Sequence, residues 1–97
     1  MSKERIQTTK KTIKRYKKKL NDIPEGSQNR EVLRYILEHG SITPKEAEKK
    51  PIWCMRLSAR AWDLKHRYMI PIQTQTLTVK RNGKARTFAN YYIKEEG

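Results

Sequence analysis

Cysteine is nearly absent: Cys54 is the only one in 97 residues. One thiol excludes an internal disulfide framework and a cysteine-rich zinc site. No run of about 18 apolar residues occurs, which leaves no candidate membrane span. The basic start of the chain is not followed by the apolar stretch of about 7–15 residues that a secretory signal needs. These absences point to a reducing, cytoplasmic compartment. Apolar residues are also scarce, at 35%, so part of the chain is expected to lie outside the core. Catalytic constellations are missing as well. There is no glycine-rich phosphate loop, no metal-ligand cluster and no carboxylate pair in a sensible context. His39, in the last turn of a helix, most simply complements the helix dipole. Cys54 has basic neighbours but no histidine or acid beside it, so an inert thiol is expected. The reading is a non-enzymatic protein with no catalytic residue, no metal and no cofactor.

Acidic residues are the other shortage. Ten face 23 lysines and arginines, for a net charge of +13. Such a balance attracts polyanions, nucleic acid first and an anionic membrane surface second. The length suits one domain with one modest core. Charge is uneven along it, with nine cations against two acids in residues 1–23. "PEGS" at 24–27 then reads as a linker or turn, dividing a basic N-terminal arm (1–26) from a domain (27–97). In the arm, Ile6, Ile13, Tyr16, Leu20 and Ile23 recur at a 3–4 spacing, the pattern of an amphipathic helix. Lys10, Lys14, Lys17 and Lys18 are its candidate phosphate contacts. Ile13, Tyr16 and Leu20 are candidate interface residues. The arm is expected either to fray in solvent or to dock on its own domain, on a twin as a homodimer, or along phosphates.

The domain reads as three helices and a hairpin. Ser27 can cap a helix running to His39, with Val32, Leu33, Ile36 and Leu37 inward and Gly40 ending it in the left-handed conformation. "SIT" is a short extended link or minimal strand. "TPKE" at 43–46 starts a second helix, with Thr43 and Glu46 forming a capping box and Pro44 at the first position. That helix must be short, because Pro51 disfavours helical geometry at Lys50. "PIWCM" is a turn in which Trp53 joins the core with Ile52. The third helix spans 55–67, with Leu57, Ala61, Leu64 and Tyr68 on one stripe. "IPIQTQTLTV" alternates as a strand. Asn82-Gly83 signals a type I′ turn, and "ARTFANYYIK" returns. Phe88 and Tyr92, or Tyr91 and Ile93 on the opposite face, would cover the helices. Helix, short helix, helix and basic-tipped hairpin is the order of a winged helix-turn-helix, an α+β fold preceded here by the basic arm.

Three stretches, "VLRYILEHGSITPKEA", "MRLSARAWDLKHR" and the strand pair turning at "RNGK" and closing with "YYI", resemble short winged helix-turn-helix proteins of bacteriophages and prophages. The resemblance covers roughly residues 28–93, and "GSITPKEA" and "RLSAR" with "DL" are its most specific parts. It implies a sequence-specific or structure-specific DNA-binding domain and defines no regulatory role; the expectation is a phage or prophage regulatory or DNA-transaction accessory factor in a bacterial or phage-infected cell. Four departures stand out. "KPIWCM" replaces a glycine-bearing turn, and Ala61 stands where a larger aliphatic is usual. Trp62 stands where a small or polar residue is usual, and Tyr68 lies near where a glycine would end the helix.

In such a fold the 55–67 helix would enter the major groove of double-stranded DNA. Arg56, Ser58, Ala59 and Arg60 are best placed for base edges, since arginine can pair bidentately with guanine and alanine can touch a thymine methyl. An ion pair with Asp63 is the competing role for Arg60. Lys65, His66 and Arg67, at the helix's later end, would meet phosphate. Arg81, Lys84 and Arg86 on the wing would meet backbone or minor groove. Trp62 lies off the apolar stripe. It could pack against the arm or a partner subunit, fill space beside small Ala61, or touch nucleic acid. Two other classes of function stay open: a protein-interaction module that inhibits or recruits a host nucleoprotein enzyme, and RNA binding.

Overall fold

The computed structural model describes residues 5–49, 52 and 56–95. Residues 5–9 are extended, and Thr9 then caps α1 (Lys10–Tyr16), its hydroxyl accepting from the Thr12 amide at 3.4 Å. The chain continues as a 3₁₀ helix, Lys17–Asp22, so the uninterrupted amphipathic helix expected over the arm is not formed. Cations repeat at i, i+4 through Lys10, Lys14 and Lys18 and through Lys11, Arg15 and Lys19. Like charges at that spacing oppose an α-helix, and tertiary bonds take over. The Thr8 amide donates to the Gly40 carbonyl at 2.6 Å, and its hydroxyl accepts from the Ile93 amide at 2.9 Å. Nor is the segment a frayed, solvated tail. Tyr16 and Ile23 belong to the hydrophobic core, with Ile13 and Leu20 packed against it. The three side chains expected to meet another chain, Ile13, Tyr16 and Leu20, thus serve the chain's own core.

Local chemistry sets the next elements. Ser27 caps α2 (Gln28–His39) by accepting from the Arg30 amide at 3.2 Å. Val32, Leu33, Ile36 and Leu37 are buried on one face. Gly40 ends the helix at φ 93°, and a Cβ there would lie 2.9 Å from Cβ of Gln7. That position therefore needs glycine both for its conformation and for the close approach of the arm. Ile42 pairs with Tyr91 through two backbone bonds of 2.9 and 2.8 Å, so "SIT" does supply a minimal strand. The reciprocal capping box of Thr43 and Glu46 opens α3 (Pro44–Ala47). Ile52 is buried. Trp53, Cys54 and the rest of the "PIWCM" turn lie outside the described residues, and so do the expectations placed on them.

The fourth helix, α4 (Leu57–His66), buries Leu57, Ala61 and Leu64 and packs on α2 and on the start of the hairpin. Met69, at φ 57°, takes the left-handed conformation that a glycine would ordinarily supply, and the Ile70 amide bonds back to the Leu64 carbonyl at 3.0 Å. β1 (Ile72–Arg81) and β2 (Lys84–Ile93) then pair antiparallel without a bulge. Asn82 and Gly83, at φ 52° and 75°, make the expected turn. Of the two faces considered for β2, the one bearing Tyr91 and Ile93 meets the core. The described chain is therefore α+β: four α-helices, a 3₁₀ helix and an antiparallel hairpin.

A polar network ties the arm to this frame. The Arg5 guanidinium donates to both Glu46 carboxylate oxygens, to Ser41 Oγ at 2.7 Å and to Asn90 Oδ1 at 3.0 Å. Asn90, fully buried in mid-strand, returns a bond to the Ile6 carbonyl at 3.0 Å. Glu46 also accepts from the Tyr35 hydroxyl at 3.0 Å and the Thr43 amide at 2.9 Å. Burial works to raise the Glu46 pKa, but the bonds from Arg5, Thr43 and Tyr35 outweigh it and hold the carboxyl below its ordinary value. A depressed carboxylate stabilises the fold above its unfolded pKa, and that contribution is lost as pH falls through the folded value. Glu46→Gln is expected to lower stability by about 2 kcal/mol at neutral pH. The gap to the native chain should narrow as pH falls through the folded-state Glu46 value, which lies below the ordinary one. Urea melts of both proteins across pH would show this; a gap that persists in acid would mean the charge of Glu46 is not the cause.

Candidate nucleic-acid interface

At about 100° per residue, Ala59, Trp62 and His66 lie opposite the buried stripe of α4. Burial agrees with that placement. Arg56, Ser58, Trp62, Lys65, His66 and Arg67 are exposed, whereas Ala59 and Arg60 are half-buried. Arg56 precedes the first turn as its N-cap residue, makes no side-chain cap and is exposed. Lys65 and His66 sit in the last turn, where positive charge complements the helix dipole.

Arg60 is the exception among the expected base readers. Its Nη2 lies 3.5 Å from Asp63 Oδ2, and the same oxygen accepts from Asn29 Nδ2 at 3.3 Å. Asp63 is thereby held by α2, and Arg60 is held by Asp63. The ion pair weighed against base contact is the arrangement present. It lies on the flank of α4 that faces α2, away from the centre of the exposed face.

Trp62 is 61% exposed. It neither fills space beside Ala61, which is itself buried, nor lies under the arm. Among the described residues its ring meets that of His66, one turn on, with centroids 4.6 Å apart and planes tilted by 37°. Of the two partners expected for it, arm or partner subunit, the described arm residues do not supply the first, because they turn their apolar face against α2 and the hairpin end.

The hairpin supplies a second group of cations. Every residue from 78 to 87 is exposed, so this half of the hairpin projects beyond the core. Arg81 pairs with Lys84 and Val79 with Arg86. Alternation then places Arg81, Lys84 and Arg86 together on one face, with Lys80 on the other. Arg81 and Lys84 are like charges directly opposite each other, an arrangement that destabilises a strand pair. Nothing in the core calls for it.

Lys10, Lys14, Lys17 and Lys18 are all exposed on α1 and the 3₁₀ helix. They are not gathered with the wing. Lys11 and Arg15 line one shallow pocket with Glu95, just past β2, and the turn lies roughly 30 Å away along the hairpin. Two groups of candidate residues are thus assembled on the α4–hairpin unit, and a third sits at the hairpin's base. Among the described residues, no cluster of His, Cys, Asp or Glu could hold a metal ion, and no helix is long and apolar enough to cross a membrane. Compared with family models, curated proteins and solved structures, the chain matches none of them.

Proposed function

We propose that this chain is a non-enzymatic duplex-DNA-binding domain of the winged helix-turn-helix type, in which α2, α3 and α4 form the helical body and the hairpin is the wing. α4 would lie in the major groove, and Arg81, Lys84 and Arg86 would follow the flanking backbone. The observation that carries this reading is the wing. A hairpin that projects past the core with three cations on one face, two of them in direct opposition, has no structural use for them. A phosphate backbone removes that repulsion. The exposed cations of α4 and the net charge of +13 support the same partner. The resemblance to phage and prophage proteins makes a regulatory or accessory role in DNA transactions the setting we favour. Exposed Trp62 also favours a second reading, an anchor for a protein partner such as a host nucleoprotein enzyme.

The test is a salt titration on duplex DNA. If Lys65, Arg67, Arg81, Lys84 and Arg86 all met phosphate, log K would fall with log salt at a slope of about −4.5. Lys84→Ala should reduce that slope by about one and weaken all sequences alike, whereas Arg56→Ala should relax sequence preference. Affinity indifferent to salt, alongside capture of one stoichiometric protein partner, would favour the second reading.

A further inference from the structure

We propose that Trp62, steadied by His66, reads the C5-methyl groups of thymines and so sets a preference of α4 for A·T pairs; this rests on the DNA-binding reading above. The line opposite the buried stripe holds Ala59, Trp62 and His66, with no guanidinium, ammonium or carboxamide among them, while Ser58 and Lys65 share one flank of it. Arg60 is drawn aside by Asp63, which Asn29 holds in turn. Arg56 and Arg67 stand at the two ends of the helix. Bidentate recognition of guanine takes an arginine or lysine, and that of adenine takes an asparagine or glutamine. The centre of α4 offers neither.

It offers apolar surface instead. The indole is more than half exposed, and the His66 ring lies against it from one turn on. Ala59 sits one turn before it. In the major groove the apolar feature of a base pair is the thymine methyl. The surroundings choose between a groove and an apolar protein surface. Lys65 stands one turn on from Trp62, exposed Arg56 and Arg67 close the two ends of the helix, and the acid on this helix, Asp63, is paired with Arg60. An aromatic centre on a helix whose flank and ends are cationic complements a polyanion with methyl groups on its floor.

The probes are alternating poly(dA–dT) and poly(dA–dU) duplexes, which carry the same charge and differ by the methyl alone. The native chain should bind the thymine polymer about fourfold more tightly for each methyl covered. Trp62→Ala should bind both polymers alike, and Trp62→Phe should restore part of the preference. Salt slopes should be the same for both polymers, because the methyl is uncharged. Since Trp62 is exposed, its replacement should leave the thermal midpoint unmoved, which separates lost reading from lost fold. Equal binding of both polymers by the native chain overturns the inference but leaves DNA binding standing. A preference that survives in Trp62→Ala also overturns it. Failure to bind either polymer removes the DNA-binding reading and the inference together.

Discussion

Deletion of residues 1–23 is expected to unfold the rest of the chain rather than trim a tail from it. Ile23 and Tyr16 are core residues, and truncating one large buried side chain costs about 2–5 kcal/mol. The deletion removes both. It also leaves Asn90 and Ser41, each fully buried, without Arg5 and the Ile6 carbonyl, and an unsatisfied buried polar group costs about 1–3 kcal/mol. Glu46 would lose its cation, and Ile93 would lose the Thr8 hydroxyl. A domain of this size is stable by only about 5–15 kcal/mol, so these losses together exceed what it can spare. Far-UV circular dichroism and urea melts would register the collapse. A cooperative transition at the full chain's midpoint would show the arm to be dispensable. Ile23→Ala is the smaller version, with an expected cost of about 3 kcal/mol, for use if the deletion cannot be purified.

Reversing the wing, Arg81→Glu with Lys84→Glu and Arg86→Glu, is expected to weaken duplex binding by roughly a hundredfold or more. Three attractive contacts would be lost and three repulsive ones gained. The fold should not suffer, because residues 78–87 bury nothing. Lys84→Glu alone gives a sharper contrast. It turns the like-charged pair with Arg81 into an opposite one, so the hairpin should gain a few tenths of a kcal/mol while DNA affinity falls. Stability and binding then move in opposite directions at one residue, as expected where charge is kept for a partner. A variant with unchanged affinity would remove the wing from the interface.

The parts legible in the sequence are those in which a residue acts on its own neighbours. Ser27, Gly40, the Thr43–Glu46 box and Asn82-Gly83 each set a local backbone state, and each end or turn stands where those residues put it. The arm is different. Its apolar spacing puts Tyr16 and Ile23 on one apolar face, but does not say that this face closes on the chain's own core, or that Thr8 and Arg5 would lie outside the helix with partners on β2 and α3. Polar pairings made across the fold leave no period to read. At α4 the stripe is plain, and the i, i+3 spacing of Arg60 and Asp63 is visible. The Asn29 bond that fixes Asp63, and with it the side of the helix Arg60 leans toward, appears only once α2 packs against α4. Trp62 is legible as off-stripe; that it faces solvent follows from where the arm goes.

The bond between Thr8 and the Ile93 amide joins residues 85 apart in the chain, and Arg5 with Asn90 spans the same separation. Such pairings form only after most of the chain has been gathered, because closing so long a loop carries its entropy cost before any contact rewards it. The segment synthesised early is therefore the one that settles late. Until β2 arrives, its lysines belong to an open polycation with nothing to lie against. Speed of folding, and not only the depth of the native state, should then be governed by how readily Thr8 meets Ile93.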